Sequence, residues 1–259
     1  MSGVDGQFVW FDLMTPDLEG SRSFYERLVG WKTTRSPAGD YEMWTAADVE
    51  VGGRVAFAPE TQEAGATPYW LGYITVTSVD QTVDRVPSLG GRVLIPGTNI
   101  PNGGRFAVLA DPQGALFAIH RPSTPLAAPN PALPGHFGWA ELNSTDWNRA
   151  WPFYSELFGW KTSGKVQVGP PLGEYTLFGN HPERPMGGMS DAARAIGARA
   201  HWLYYITVAN LADALETVQQ MGGQLLSGPM PVPGGGQVAQ CQDPQGGLFA
   251  LFEAPGAVA

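Results

Sequence analysis

Two carboxylates stand at matching places in the predicted strands that open the two halves of the chain. Asp12 follows Trp10 by two residues, and Glu141 follows Trp139 by two residues. Because side chains alternate between the faces of a strand, each carboxylate shares a face with a tryptophan. A carboxyl group beside an apolar ring can act as a general acid or base. We therefore take Asp12 and Glu141 as candidate catalytic residues.

The same alternation assigns further side chains to the inward faces of the strands. The predicted ligand-contacting residues are Trp10, Tyr73, Thr75, Trp139, Asn143, Tyr205 and Thr207. His120, in the last strand of the first half, is a third catalytic candidate, and Phe252 takes its place in the second half. An apolar wall with a few polar groups is typical of a small-molecule pocket. The His/Phe difference predicts two non-equivalent sites.

These residues recur because the chain repeats itself. Trp10 and Trp139 have the same spacing as Asp17 and Asp146 and as the two Gly-Trp pairs that end at Trp31 and Trp160. Later segments match at a slightly larger spacing. Tyr69–Val76 mirrors His201–Val208, and Asp111–Ala118 mirrors Asp243–Ala250. The chain is therefore an internal duplication.

Each copy has the pattern of a strand, a helix and several strands, given twice. Residues 7–14 alternate as a half-buried strand does, and a helix is expected from Asp17 to Gly30. A second helix is expected over Val79–Leu89, followed by strands joined by an Asp-Pro-Gln-Gly turn. The predicted fold class is α+β, with two tandem modules of paired βαβββ units curled around a cavity.

These motifs resemble the vicinal-oxygen-chelate superfamily, which includes glyoxalase I, bleomycin-resistance proteins and extradiol dioxygenases. The resemblance rests on a strand ending in aspartate, a helix bearing Phe-Tyr and ending in Leu-x-Gly-Trp, and the Asp-Pro-Gln-Gly-x-Leu-Phe-Ala segment. It covers both copies. It implies a ligand cavity and, in the family's enzymes, a divalent metal that acts as a Lewis acid.

The metal positions that the resemblance implies do not carry ligand residues. They fall on Trp10, Leu71 and Ala118 in the first copy and on Trp139, Leu203 and Ala250 in the second. An indole only donates, and Leu and Ala side chains have no polar atom. The sequence therefore predicts no metal at these positions and no cofactor. A rearranged metal site using His201, His120 and Glu141 is kept as a lesser alternative.

A proline-rich segment separates the copies. Arg121–Gly135 contains five prolines, which remove backbone donors and favour an extended connector. We place a first glyoxalase-like module at 5–121, a linker at 122–135 and a second module at 136–254.

Composition limits the partners and the location. The net charge of −9 disfavours nucleic acid and anionic lipid, and no apolar run is long enough to span a bilayer. No signal peptide is visible, and the single cysteine, Cys241, excludes an internal disulfide. We expect a cytoplasmic protein, monomeric or homodimeric, with a small-molecule ligand and without nucleic-acid or membrane partners.

Four functions agree with these residues. The first is metal-free binding of a small organic molecule in an aromatic-walled cavity. The second is a lyase, isomerase or oxygenase-associated enzyme that uses an inward carboxylate as general acid or base. The third is a metal-dependent enzyme of the glyoxalase type with rearranged ligands. The fourth is a structural or partner-binding protein whose pockets are vestigial. The sequence does not identify the ligand.

Overall fold

The computed structural model describes residues 5–36, 41–124, 126, 130–169 and 173–256. The strands of the first copy are β1 Phe8–Thr15, β2 Lys32–Arg35, β3 Glu42–Ala46, β4 Val49–Ala56, β5 Tyr69–Thr75, β6 Arg92–Ile100, β7 Gly104–Ala110 and β8 Leu116–Pro122. Those of the second are β9 Phe137–Asn143, β10 Lys161–Gly169, β11 Gly173–Gly179, β12 Gly187–Ser190, β13 His201–Val208, β14 Gln224–Pro231, β15 Gln237–Gln242 and β16 Leu248–Glu253. The helices are α1 Leu18–Val29, α2 Pro59–Glu63, α3 Val79–Arg85, α4 Trp147–Phe158, α5 Ala192–Ala195 and α6 Leu211–Gln220.

Each copy forms one eight-stranded sheet, so the predicted α+β class with paired units is confirmed. The first sheet has the order β2-β3-β4-β1-β5-β8-β7-β6, and the second has the order β10-β11-β12-β9-β13-β16-β15-β14. β1 runs parallel to β4, and β5 runs parallel to β8. In each βαβββ repeat, the first strand therefore lies beside the last strand, as this topology requires.

The long helices begin and end at the residues that the sequence marks. The Asp17 side chain accepts a hydrogen bond from the N–H of Gly20, and Gly30 ends α1 at a φ of 71°. The Asp146 side chain likewise accepts a hydrogen bond from a backbone N–H in the first turn of α4, and Gly159 ends that helix at a φ of 70°. A left-handed residue after a helix favours glycine, because a side chain there is strained.

The helix expected over Val79–Leu89 is shorter than predicted. α3 ends at Arg85, and a separate 3₁₀ turn covers Pro87–Leu89. Pro87 has no N–H to continue the α-helical hydrogen bonds, and its ring crowds the preceding turn. The apolar spacing that suggested one helix therefore spans two elements.

The chain divides into two compact units, and each unit draws on both copies. Described residues of unit 1 lie within 1–9, 71–128 and 139–203, and those of unit 2 lie within 10–70, 129–138 and 204–259. Unit 1 thus contains the second half of copy one and the first half of copy two. Unit 2 contains the other two halves. The linker predicted at 122–135 includes 125 and 127–129, which lie outside the described residues.

An aromatic core fills each unit. In unit 2, Tyr25 stacks on Trp31 at 5.6 Å, and Phe137 lies 5.7 Å from Trp31. In unit 1, Tyr154 stacks on Trp160 at 5.5 Å. These tryptophans are buried, as expected for packing residues. The Trp31 indole also donates to the Gly135 carbonyl at 2.7 Å, just before β9. Trp160 makes the same 2.7 Å bond to Gly6, just before β1.

The aspartate of each Asp-Pro-Gln-Gly turn is a buried acceptor shared between the two copies. Asp243 Oδ1 accepts from the N–H groups of Gln245 and Gly247 at 3.0 and 2.8 Å. Its Oδ2 accepts from the Tyr25 hydroxyl at 3.1 Å, which in turn accepts from the Trp70 indole at 3.2 Å.

The same network is present in unit 1. Asp111 Oδ1 accepts from the N–H groups of Gln113 and Ala115, and its Oδ2 accepts from the Tyr154 hydroxyl at 3.1 Å. The Trp202 indole donates to the Tyr154 hydroxyl at 3.1 Å. Burial raises the pKa of both aspartates, while the backbone N–H donors oppose that shift. Each network therefore fastens a turn of one copy to a helix of the other.

Among the described residues, no helix has the length and apolar character needed to cross a membrane.

Replacing Asp243 by alanine should destabilise the protein more than replacing it by asparagine. Alanine leaves the Tyr25 hydroxyl and two turn N–H groups buried without an acceptor, at a cost on the order of 3 kcal/mol. Asparagine keeps one acceptor oxygen. The free energy of unfolding in urea measures the difference. Asp80→Ala is the control, because Asp80 forms an exposed ion pair with Arg105 whose loss costs about 1 kcal/mol or less. Equal losses in Asp243→Ala and Asp80→Ala would contradict the assignment.

The stability gap between wild type and Asp243→Asn should depend on pH. The pKa of Asp243 is raised on folding from its ordinary value of 3.8. Its contribution to stability is therefore fully present below the unfolded pKa and is lost as pH rises through the folded pKa. Asparagine does not titrate. Urea titrations between about pH 4 and 7 should show wild type losing stability relative to the variant as pH rises. A gap that stays constant or changes in the opposite direction would contradict the shift.

Candidate functional site

In unit 2, Trp10, Asp12 and Tyr41 form a hydrogen-bonded cluster, called here the first cluster. The Trp10 indole Nε1 donates to the Tyr41 hydroxyl at 2.7 Å and to Asp12 Oδ1 at 3.0 Å. The Tyr41 hydroxyl donates to Asp12 Oδ1 at 2.5 Å. Asp12 is buried, whereas both rings are half-buried. The carboxylate is thus covered by two ring edges that solvent still reaches.

A glycine makes room for this arrangement. Asp12 lies opposite Gly53 in the parallel pairing of β1 with β4. A Cβ atom on Gly53 would lie 2.0 Å from the Tyr41 hydroxyl and 2.8 Å from Asp12 Oδ1. No side chain fits at that distance, so the phenol can reach the carboxylate only over a glycine.

In unit 1, Trp139, Glu141 and Tyr175 form the second cluster on the same plan. The Trp139 indole donates to the Tyr175 hydroxyl at 2.8 Å, and that hydroxyl donates to Glu141 Oε2 at 3.2 Å. Glu141 lies opposite Gly188 in the pairing of β9 with β12. A Cβ on Gly188 would lie 2.5 Å from the Tyr175 hydroxyl. The duplication therefore preserves an indole, a carboxylate and a phenol, the two hydrogen bonds of the phenol, and the glycine.

His120 belongs to neither cluster. It lies in the second half of the first copy, which is part of compact unit 1. Its ring centroid is 6.4 Å from that of Tyr73, which is 6.3 Å from that of Phe106. Its Nε2 donates to the Gly103 carbonyl at 3.0 Å. Burial lowers the pKa of His120, against the effect of that carbonyl. A neutral imidazole packed among aromatic rings is the result.

In the second copy Phe252 takes the place of His120, and an amide bonds the tyrosine that matches Tyr73. Gln240 Nε2 donates to the Tyr205 hydroxyl at 3.4 Å. Gln240 lies opposite Ala250, and the next inward position of β16 is Phe252. The predicted His/Phe difference is thus accompanied by a polar group that the alternation on β13 and β16 did not reveal.

Both threonines that were predicted to contact a ligand donate a hydrogen bond from the hydroxyl to a backbone carbonyl. Thr75 Oγ1 donates to Gln7 at 3.3 Å, and Thr207 Oγ1 donates to Pro131 at 2.8 Å. Asn143 is buried at the end of β9, opposite Ser190 in β12. The two threonine hydrogen bonds link β5 to the residue before β1, and β13 to the segment before β9.

The structure thus joins each predicted carboxylate to its tryptophan and adds a tyrosine that the prediction missed. Asp12 and His120 belong to different compact units. Two repeats pointed to the missing tyrosines. The sequence Gly-Asp-Tyr that ends at Tyr41 recurs as Gly-Glu-Tyr ending at Tyr175. The Gly-Gly pair that ends at Gly53 recurs at Gly188.

The donor set does not fit a metal at the positions that the fold implies. Leu71, Ala118, Leu203 and Ala250 are buried apolar residues. Within the described part of the chain, no three His, Cys, Asp or Glu side chains lie together as a metal site would require. The rearranged set of His120, His201 and Glu141 is therefore not assembled. His201 instead has its Nδ1 2.9 Å from the Arg199 carbonyl.

Comparison with known protein sequences gives relatives that match over nearly the whole chain. "Putative glyoxylase CFP32" of Mycobacterium tuberculosis is 29% identical over 94% of this chain and 93% of that protein. "Anthracycline biosynthesis protein DauV" of Streptomyces sp. (strain C5) is 28% identical over 96% of this chain and 93% of that protein.

Solved structures share the fold at low sequence identity. The 2,3-dioxygenase LapB from Pseudomonas sp. KL28 superposes with a TM-score of 0.69 at 12% identity, covering 98% of this chain and 94% of that one. The Mn(II)-bound glyoxalase from Novosphingobium aromaticivorans gives a TM-score of 0.66 at 14% identity, covering 96% and 82%.

A family model matches each copy separately, over residues 7–119 and 136–251. These two matches cover most of the chain and agree with the paired βαβββ units of both sheets. The chain therefore belongs to the Glyoxalase/Bleomycin resistance protein/Dioxygenase superfamily.

Proposed function

We propose that this protein binds a small organic molecule at the first and second clusters, and that it does so without a metal at the family's usual positions. One observation carries the proposal. The same indole, carboxylate and phenol, with the same two hydrogen bonds over a glycine, occur in both copies. The rings of the Tyr25–Asp243 and Tyr154–Asp111 networks are buried in the cores, whereas the rings of both clusters stay half-buried around a buried carboxylate.

The physical character of the clusters supports a small ligand. Trp10 and Tyr41 offer apolar ring surface that is only half-buried, next to a carboxylate that is 4% exposed. Aromatic surface supplies binding energy through burial, and a few polar groups fix the orientation of the ligand. The net charge of −9 favours this partner over nucleic acid. We further propose that the protein acts in the cytoplasm.

The relatives support a small-molecule role and leave the activity open. Two of them are named as anthracycline biosynthesis proteins, and others are named as putative glyoxylases. Both kinds of name concern small organic compounds. Identities below 30% do not carry a substrate over to this chain.

A second candidate is an enzyme of the lyase or isomerase type. It is favoured by the 2.5 Å hydrogen bond from the Tyr41 hydroxyl to Asp12. A phenol and a carboxylate held together can pass a proton to or from a ligand atom beside them. In this candidate Asp12 or Glu141 is the base, and the tyrosine holds it in place. Turnover of a bound compound that is lost in Asp12→Asn would favour the enzyme over the binder.

Asp12→Ala should weaken binding at the first cluster by roughly tenfold or more, since a hydrogen bond to a charged group contributes about 1.5–3 kcal/mol. A panel of quinones, aromatic polyketides and aldehydes is screened by thermal shift, and hits are titrated calorimetrically. Glu141→Ala tests the second cluster. Asp80→Ala, which removes an exposed ion pair, is the matched control. Hits that are indifferent to both cluster variants, or a panel without hits, would contradict the proposal.

Chelation should change neither the melting temperature nor the binding of such a hit. The positions expected to hold a metal carry Trp10, Leu71 and Ala118 in one copy, which provide no lone pair for a metal. Thermal denaturation with and without EDTA, together with elemental analysis of the purified protein, measures this. A melting temperature that falls with EDTA and recovers with zinc, nickel or iron would contradict it.

A further inference from the structure

Each cluster holds a phenol between one donor and one acceptor. The Tyr41 hydroxyl accepts from the Trp10 indole at 2.7 Å and donates to Asp12 at 2.5 Å. The Tyr175 hydroxyl accepts from Trp139 at 2.8 Å and donates to Glu141 at 3.2 Å. We call the space between each indole N–H and its carboxylate, above Gly53 or Gly188, the phenol seat.

The seat selects a hydroxyl group on chemical grounds. An indole N–H can only donate, and an ionised carboxylate can only accept. A single atom that satisfies both must accept one hydrogen bond and donate another, which a hydroxyl does. A carbonyl or an ether oxygen can only accept, and an ammonium group can only donate. The pair therefore favours a hydroxyl over these groups.

The shape of the seat favours a hydroxyl on a flat ring. A Cβ on Gly53 would lie 2.4 Å from the Tyr41 Cζ, and a Cβ on Gly188 would lie 2.1 and 2.2 Å from Tyr175 Cε1 and Cζ. In both copies, therefore, the tip of an aromatic ring fills the space above the glycine. The rest of each ring is half-buried.

The tyrosines reach the seat from a part of the chain other than the strand that carries its indole and carboxylate. The indole and carboxylate stand on β1 or β9, whereas Tyr41 directly precedes β3 and Tyr175 lies on β11. An external phenol offers the same hydroxyl and the same flat ring edge. The seat therefore does not require that its occupant be part of the chain.

We infer that the ligand of this protein is a hydroxyaromatic compound, and that it displaces Tyr41 or Tyr175 and takes over the two hydrogen bonds of the phenol seat. This inference rests on the proposed function and names its ligand class and its competitor. A tyrosine that competes with the ligand reduces the apparent affinity to the intrinsic affinity multiplied by the fraction of molecules in which the tyrosine has left the seat. A tyrosine that contacts the bound ligand instead raises the affinity. The two roles predict effects of opposite sign.

Tyr41→Phe and Tyr175→Phe separate these roles. Phenylalanine keeps the ring but makes neither hydrogen bond, so the closed state is weakened and ligand binding should tighten about three- to tenfold at the altered seat. The probe is 2-naphthol, titrated calorimetrically against wild type and both variants.

The methyl ether of this probe, 2-methoxynaphthalene, cannot donate a hydrogen bond and should bind at least tenfold more weakly than 2-naphthol. Tyr69→Phe, which removes a half-buried hydroxyl outside the clusters, is the control and should leave affinity unchanged.

Three results would overturn the inference. They are weaker binding of 2-naphthol in the two phenylalanine variants, equal binding of the ether, and no binding of 2-naphthol to any variant. The proposed function fails separately, when no compound of the wider panel responds to Asp12→Ala or Glu141→Ala. A panel hit that lacks a hydroxyl and depends on Asp12 would keep the proposed function and reject the phenol seat.

A second measurement does not depend on the phenylalanine variants. Tyr41→Ala empties the seat, and p-cresol is the missing side chain as a free molecule. It should raise the melting temperature of Tyr41→Ala more than toluene does and should have a smaller effect on wild type. Equal effects of p-cresol and toluene would reject the seat as a hydroxyl site.

Discussion

The hydrogen bond between a tyrosine hydroxyl and a buried aspartate underlies the rest of the structure. Tyr25 stands on the first helix of copy one, and its acceptor Asp243 stands in the last turn of copy two. The same carboxylate closes its own turn by accepting two backbone N–H groups. Burial of an acceptor with three donors is favourable only when all of them are in place. Helix, turn and aromatic core therefore form together, from both copies, in each compact unit.

This core determines which residues face the candidate site. Phe11 stacks on Phe137 at 3.9 Å, and Leu13 is fully buried, so the alternate positions of β1 are committed to the core. Trp10 and Asp12 must then lie on the other face, since a shift by one residue would exchange the two faces. The site is thus held by the packing behind it, and Gly53 adds the space that the phenol of Tyr41 occupies.

The sequence was sufficient for the fold class, the duplication, the limits of α1 and the placing of each carboxylate on the same strand face as a tryptophan. These features follow from local rules of alternation, capping and repetition. Tyr41 and Tyr175 were missed because alternation describes the faces of one strand and does not show which side chain arrives from a neighbouring strand. The hydroxyls of Thr75 and Thr207 are directed at backbone carbonyls, which no periodicity reports. Pro87 divided a helix whose apolar spacing was regular.

The most direct test of the clusters as binding sites is the indole region of a ¹⁵N-correlated NMR spectrum during titration with a hydroxyaromatic ligand. The chain has nine tryptophans, each with one N–H signal. Trp10→Phe and Trp139→Phe assign the two cluster signals. The account predicts that these two signals shift, while those of Trp31 and Trp160, which donate to backbone carbonyls in the cores, stay in place. Movement of the core signals without movement of the Trp10 and Trp139 signals would contradict it.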